Sequence, residues 1–150
     1  MLVAATLWLA TVVATFAGSP HTGTWKLDEA KSKLPTYGQK NTTGTYTEAK
    51  DGMIKVSVEG VDKDGKAVSW TWMGKFDGEQ HKVKGSDMAD TMGFKTVNDR
   101  TNEMTVIKDG KVVMTGTIKV AKDGKSRVVT ATATDAEGKK QSSNAYYAKE

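Results

Sequence analysis

The chain contains no cysteine. That absence excludes thiol catalysis, a disulfide framework and a thiol for lipid attachment, so the folded domain rests on its core alone. Histidine is scarce as well, occurring only at His21 and His81. No Gly-x-Ser-x-Gly elbow occurs, and no glycine-rich loop leads into a helix that could cradle phosphate. The carboxylates fall mostly in turns, where solvent keeps their acidity ordinary. The expectation is a protein that is not an enzyme and carries no cofactor. A local set of His81, Asp87 and Asp90 has no spacing that fixes a coordination geometry, so no metal is expected either.

Charge is missing from one end. Met1 to Trp25 holds no Asp, Glu, Lys or Arg, and Leu2 to Val13 is a dense run of Leu, Val, Ala, Trp and Thr. Small residues follow at Ala14-Thr15-Phe16-Ala17-Gly18-Ser19. An apolar run of about 7–15 residues ending in small side chains reads as a secretory signal peptide. The expected division is a signal peptide over 1–17 and one domain over 18–150, secreted or periplasmic. No Lys or Arg precedes Leu2, so the reading places the true start further upstream. A membrane anchor would need about 20 apolar residues. Thr6, Thr11, Thr15 and the Gly-Ser-Pro exit argue against one, and no stable membrane span is expected after cleavage.

All charge therefore sits in the following domain, which carries the whole formal +4. Its lysines are scattered, many beside turns, and do not form one block. That pattern serves solubility and edge protection better than a nucleic-acid face, and no nucleic-acid partner is expected.

Helical periodicity is lacking too. No stretch after residue 25 supports an amphipathic helix of three turns, and Asp28–Leu34 has room for one short turn before Pro35. What the chain has instead is punctuation. KDGK recurs at Lys63–Lys66, Lys108–Lys111 and Lys122–Lys125, with relatives at Asp51-Gly52, Asp77-Gly78 and Glu137-Gly138. One Asp between two lysines is no calcium loop, which needs several oxygen ligands. Asp-Gly supplies the positive φ that tight hairpins require. The six acidic-Gly pairs are spaced 13, 13, 32, 14 and 14 residues apart, regular but for one gap at 78–109.

Between the turns the sequence alternates with period two. Ile54, Val56 and Val58 share a face; so do Val68, Trp70, Trp72, Gly74 and Phe76; so do Val112, Met114, Gly116, Ile118 and Val120. The expected strands are Thr22–Leu27, Asn41–Glu48, Met53–Val61, Ala67–Phe76, Gln80–Lys84, Thr91–Val97, Glu103–Lys108, Val112–Ala121, Arg127–Asp135 and Gln141–Ala148. Consecutive hairpins with one apolar face predict an all-β fold, a single antiparallel up-and-down meander barrel of about 8–10 strands.

The inward faces mix large side chains with small ones at Gly74, Gly116, Ala131, Ala133, Ser143 and Ala145, which leaves room for a ligand. Trp70, Trp72, Phe76 and Met114 are the candidate walls. Aromatics interleaved with Lys75 could also serve single-stranded nucleic acid, but Trp70, Trp72 and Phe76 share the parity of Val68 and so face inward. Arg127 shares parity with Val129, Ala131 and Ala133. It either points inward, where it could hold an anionic head, or sits solvated at the strand's mouth.

Gly23-Thr24-Trp25-Lys26-Leu27 resembles the Gly-x-Trp opening of the calycins, which comprise the lipocalins and the fatty-acid-binding proteins. The likeness implies a lipocalin-like barrel in which Gly23 and Trp25 are structural, Trp25 plugging one end. The ending Ala145-Tyr146-Tyr147-Ala148-Lys149-Glu150 is similar to the last strand of the fatty-acid-binding group. Those proteins hold a carboxylate with Arg-x-Tyr there. The Tyr is kept at Tyr147 and the Arg is replaced by Ala145, which leaves Tyr147 as a second polar candidate beside Arg127. Their two helices after the first strand do not fit into Asp28–Gln39. A lipocalin packs a late Arg on its Trp, and Arg127 is the candidate for that role. Gly23–Leu34, Phe76-Asp77-Gly78, Val83-Lys84-Gly85 through Asp90-Thr91, and Asn144–Lys149 also look like a family of small secreted bacterial proteins of unassigned function. The expected function is binding of a small apolar or amphipathic molecule by a monomer. The alternative is a filled barrel that meets a macromolecule through its basic surface or loops.

Overall fold

The computed structural model describes residues 18–36 and 38–150. The expected signal peptide over 1–17 lies outside the described residues. Ten strands follow one another: β1 (Gly23–Lys33), β2 (Lys40–Glu48), β3 (Ile54–Val61), β4 (Ala67–Gly74), β5 (His81–Lys82), β6 (Thr91–Asn98), β7 (Thr101–Lys108), β8 (Lys111–Val120), β9 (Ser126–Thr134) and β10 (Lys140–Lys149). They form one antiparallel sheet in the order β4-β3-β2-β1-β10-β9-β8-β7-β6-β5. Every strand pairs with its sequence neighbours except that β4 and β5 end the sheet, and β1 meets β10, so the meander curls round on itself. The last seam is thin: Thr71 and Lys84 exchange two backbone hydrogen bonds of 2.9 Å between β4 and the chain just after β5. The result is a nearly closed barrel with calycin-like topology.

The acidic-Gly pairs act as joints. At Lys108-Asp109-Gly110-Lys111, Asp109 and Gly110 take φ of 50° and 74°, the double positive φ of the tightest hairpins, and Lys108 faces Lys111 across β7 and β8. The other two KDGK turns are wider, closed by Asp62 N–H to Lys66 O and by Ala121 N–H to Ser126 O, each at 2.9 Å. Gly65 N–H bonds Asp62 O and Gly124 N–H bonds Ala121 O. Asp62 also accepts the Asp64 and Lys66 N–H groups with its side chain, an Asx turn. Asp77-Gly78 behaves differently. It is the midpoint of the β4–β5 link, yet Asp77 bridges to Lys95 and Gly78 N–H bonds Phe94 O, so this stretch lies along β6.

Four expectations need correction. The short helical turn over Asp28–Leu34 is absent, because β1 runs on to Lys33. Its register against β10 jumps between Asp28↔Tyr146 and Lys33↔Asn144, and the surplus residues bulge outward. The bulge is tied down where Ser32 Oγ donates to Asp28 O at 2.6 Å and accepts Tyr146 N–H at 2.9 Å. Along β8, Val112 does not share the face of Met114. A bulge pairs Ile107 with Val112 and Val106 with Met114, so Val113 is the extra residue. Val112 is left 53% exposed while Val113 turns inward. β4 stops at Gly74, two residues before the expected end, and β5 shrinks to His81–Lys82.

The alternation does its work inside the barrel. Trp25, Val56, Trp72, Phe94, Ile118 and Val120 are essentially fully buried. Each large apolar side chain removed from water contributes about 1.5–3 kcal/mol. Trp25, Trp72 and Val120 belong to a packed end, where the segment before β1 crosses the barrel and Trp25 Nε1 donates to His21 O at 2.9 Å. Trp72 Nε1 likewise donates to Met92 O at 2.8 Å, so neither indole is left with an unpaired donor. The links β1–β2, β5–β6, β7–β8 and β9–β10 gather at the opposite end.

Candidate functional site

The barrel is not filled. Above the packed end lies a cavity of about 730 Å³, within the range of roughly 300–1,000 Å³ that small-molecule sites occupy. Its wall is apolar, with Val58, Trp70, Phe94, Met104, Met114 and Ile118 among the lining side chains. Ala131, Ala133, Ser143 and Ala145 do provide room along β9 and β10. Gly74 and Gly116 do not line the cavity and are small for another reason. A Cβ on Gly74 would lie 2.5 Å from the His81 ring, and one on Gly116 would lie 2.5 Å from Thr130 O. Both positions permit close packing rather than ligand space.

Leu34, Pro35, Gly38, Met88 and Ala89 surround the mouth. The rim cations are already paired, Lys40 with Glu29 at 2.9 Å and Lys108 with Asp90 at 3.1 Å. Asp90 also accepts Asp109 N–H at 2.8 Å. Its carboxyl is accordingly held below the usual range by that backbone bond and by Lys108. Thus Asp90 is engaged at the mouth and does not combine with Asp87 and His81.

Arg127 supplies the cavity's deep polar end. It is only 4% exposed, which excludes the solvated-mouth placement. Its Cζ stands 4.5 Å from the Tyr46 ring centroid, 4.8 Å from that of Trp25 and 5.0 Å from that of Tyr147. These rings come from β1, β2 and β10, and β9 delivers the cation at the residue directly across from Tyr147. The ring faces attract the guanidinium, but they accept no ordinary hydrogen bond from it. Nε and Nη1 are buried without a partner. No carboxylate pairs with Arg127 among the described residues; the five ion pairs there all involve lysine. A buried, unpaired cation is costly, and an anion arriving beside it recovers much of that cost.

Two neighbouring groups are kept neutral. Burial, with the charge of Arg127 second, lowers the His21 pKa to about 4. Burial is also the main cause that pushes the Tyr147 phenol up to about 12, against the opposing pull of Arg127. Tyr147 is therefore a phenol at neutral pH, and it donates its proton to Asn41 O at 2.9 Å. Its oxygen can accept a further bond; donating to a ligand requires giving up Asn41.

Of the sequence candidates, Trp70, Met114, Arg127 and Tyr147 meet in the cavity. Trp72 and Phe76 do not line it. Trp72 points inward but packs among Phe76, Phe94 and His81 in the closed end. Phe76 lies beyond the end of β4 and contacts His21 edge-on. Gly23 and Trp25 belong to that same end: Lys149 crosses where a Gly23 side chain would stand, and its Nζ lies 5.2 Å from the Trp25 ring. Sequence reasoning missed Tyr46, Met92, Phe94 and Met104. Met92/Phe94 and Met104/Val106 are alternating pairs inside the 78–109 gap, and that alternation was the available signal.

No protein-family model and no curated protein matches the chain. Among solved structures, two point mutants of the fluorescent protein UnaG share the fold. One aligns with a TM-score of 0.61 at 17% identity, covering 87% of this chain and 96% of the other. The second aligns with a TM-score of 0.59 at the same identity and coverage. At that identity the likeness establishes a calycin-like barrel fold.

Proposed function

We propose that this protein is a non-enzymatic carrier, secreted or periplasmic, that holds one small amphipathic molecule inside its barrel. The ligand's apolar body lies against Trp70, Phe94 and Met114, and its anionic group lies beside Arg127. The observation that carries this reading is the pairing of an apolar cavity with a buried guanidinium that has no partner of its own. The methionines of the wall, Met88, Met92, Met104 and Met114, suit an adaptable site, since the unbranched thioether repacks around differing shapes. The room inside the barrel speaks against the filled-barrel alternative.

A titration with a medium-chain fatty carboxylate and its neutral amide tests the reading through tryptophan fluorescence, to which Trp70 in the cavity wall contributes. The carboxylate binds saturably at one per chain. Arg127→Met weakens it by about tenfold or more, the scale of a lost charge-assisted hydrogen bond, and leaves the amide little changed. A flat response to both compounds, or equal loss of both in the variant, contradicts the proposal.

A further inference from the structure

Outside the cavity, on the link between β4 and β5, Asp77, Glu79 and His81 bring three ligand atoms within 4.8 Å of one another. We infer that this trio is a divalent-cation site, fitted to a borderline first-row ion such as Zn²⁺. The link bends at Gly78, with φ of 85°, and around that bend Asp77, Glu79 and His81 are brought together at i, i+2 and i+4. The donor set is two carboxylates and one imidazole, and the carboxylates are exposed, which leaves positions for water. Such a mixed oxygen and nitrogen set suits Zn²⁺ better than Ca²⁺, which takes 6–8 oxygens.

The segment is held in place before any ion arrives. Thr96 N–H bonds Phe76 O at 3.2 Å and Gly78 N–H bonds Phe94 O at 2.8 Å, fixing one end on β6. Gln80, pointing the other way, donates to Thr105 O at 3.3 Å and accepts from Thr91 Oγ1 at 2.9 Å. Gly93 makes this approach possible, since a Cβ there would lie 2.6 Å from Gln80 Nε2 and 2.9 Å from Glu79 O. His81 is braced edge-on against Trp72, 5.7 Å between centroids, and its Nε2 is buried without a hydrogen-bond partner. Asp77 engages one oxygen with Glu79 N–H, at 3.0 Å, and keeps the other free of that bond. Neither carboxylate forms an ion pair among the described residues, so both can close on an ion. Held there, the ion would pin the β4–β5 link beside the seam that Thr71 and Lys84 alone close by backbone pairing. None of the three residues lines the cavity, so the site is independent of the carrier reading.

Untagged protein stripped with chelator is titrated calorimetrically with ZnCl₂ while tryptophan emission, which includes that of Trp72 beside His81, is followed. One Zn²⁺ binds per chain, emission changes in step, and the thermal midpoint rises at saturating metal. Glu79→Gln and His81→Gln each weaken binding by about tenfold or more. Because His81 abuts the core, the double variant Asp77→Asn/Glu79→Gln, changed only at exposed positions, carries the decision. No saturable binding to the unaltered protein, or Zn²⁺ binding as tight in the double variant, overturns the inference.

Discussion

At the scale of single residues, the barrel's chemistry turns on a cation that its own fold does not neutralise. Replacing a buried charge with an apolar side chain of similar volume is commonly neutral or stabilising by about 1–4 kcal/mol. Arg127→Met should therefore leave the ligand-free barrel at least as stable, read as an unchanged or higher urea midpoint; a clear loss would mean that the aromatic cage more than offsets the desolvation. His21 sets the acid limit. Its folded pKa is near 4 against an ordinary 6.5, so the unfolded chain takes up the proton first. Stability is fully present above about pH 6.5 and falls as pH drops towards 4, by roughly 3 kcal/mol for that size of shift. Urea midpoints measured between pH 7 and 4 should show this slope, and His21→Gln should flatten it. The parity of Arg127 was legible in the sequence. The cage was not, because Trp25 and Tyr46 lie far from Arg127 in the chain and meet it only when β1 pairs with β10.

At the scale of elements, the glycines separate turn chemistry from packing. Gly110 has φ of 74°, and a methyl group added there would meet nothing within 4 Å. Gly110→Ala therefore meets only backbone strain, about 1–2 kcal/mol. Gly60 has no positive φ, but a Cβ there would collide with the backbone carbonyl of Lys40. Gly60→Ala should cost more than Gly110→Ala, because β2 and β3 must part at the bulge between Asn41 and Thr43. Chemical denaturation of the two variants checks the order. Strand positions were readable because Asp-Gly turns and two-residue alternation are local. The β8 bulge was not: Val112 and Val113 are both valine, and only pairing with β7 decides which one turns inward.

At the scale of the whole molecule, regular turns announced ten strands, whereas closure and room inside depend on how all of them tilt and meet. Trp72 and Phe76 show the limit. Correct parity placed Trp72 inside, but height along the barrel put it in the packed end and not the cavity. The seam between β4 and β5 is the expected weak line, with one backbone pair between Thr71 and Lys84 against eight pairs between β3 and β4 and nine between β9 and β10. Hydrogen exchange should therefore be faster at the Thr71 and Lys84 amides than at the Val56 and Val58 amides of β3. The carrier reading itself is met most directly by native mass spectrometry of the protein purified from its own source. It should carry one small molecule per chain, lost on denaturation and absent from Arg127→Met if the molecule is anionic. A bare mass, together with unchanged tryptophan fluorescence across lipid and aromatic carboxylates, would contradict it.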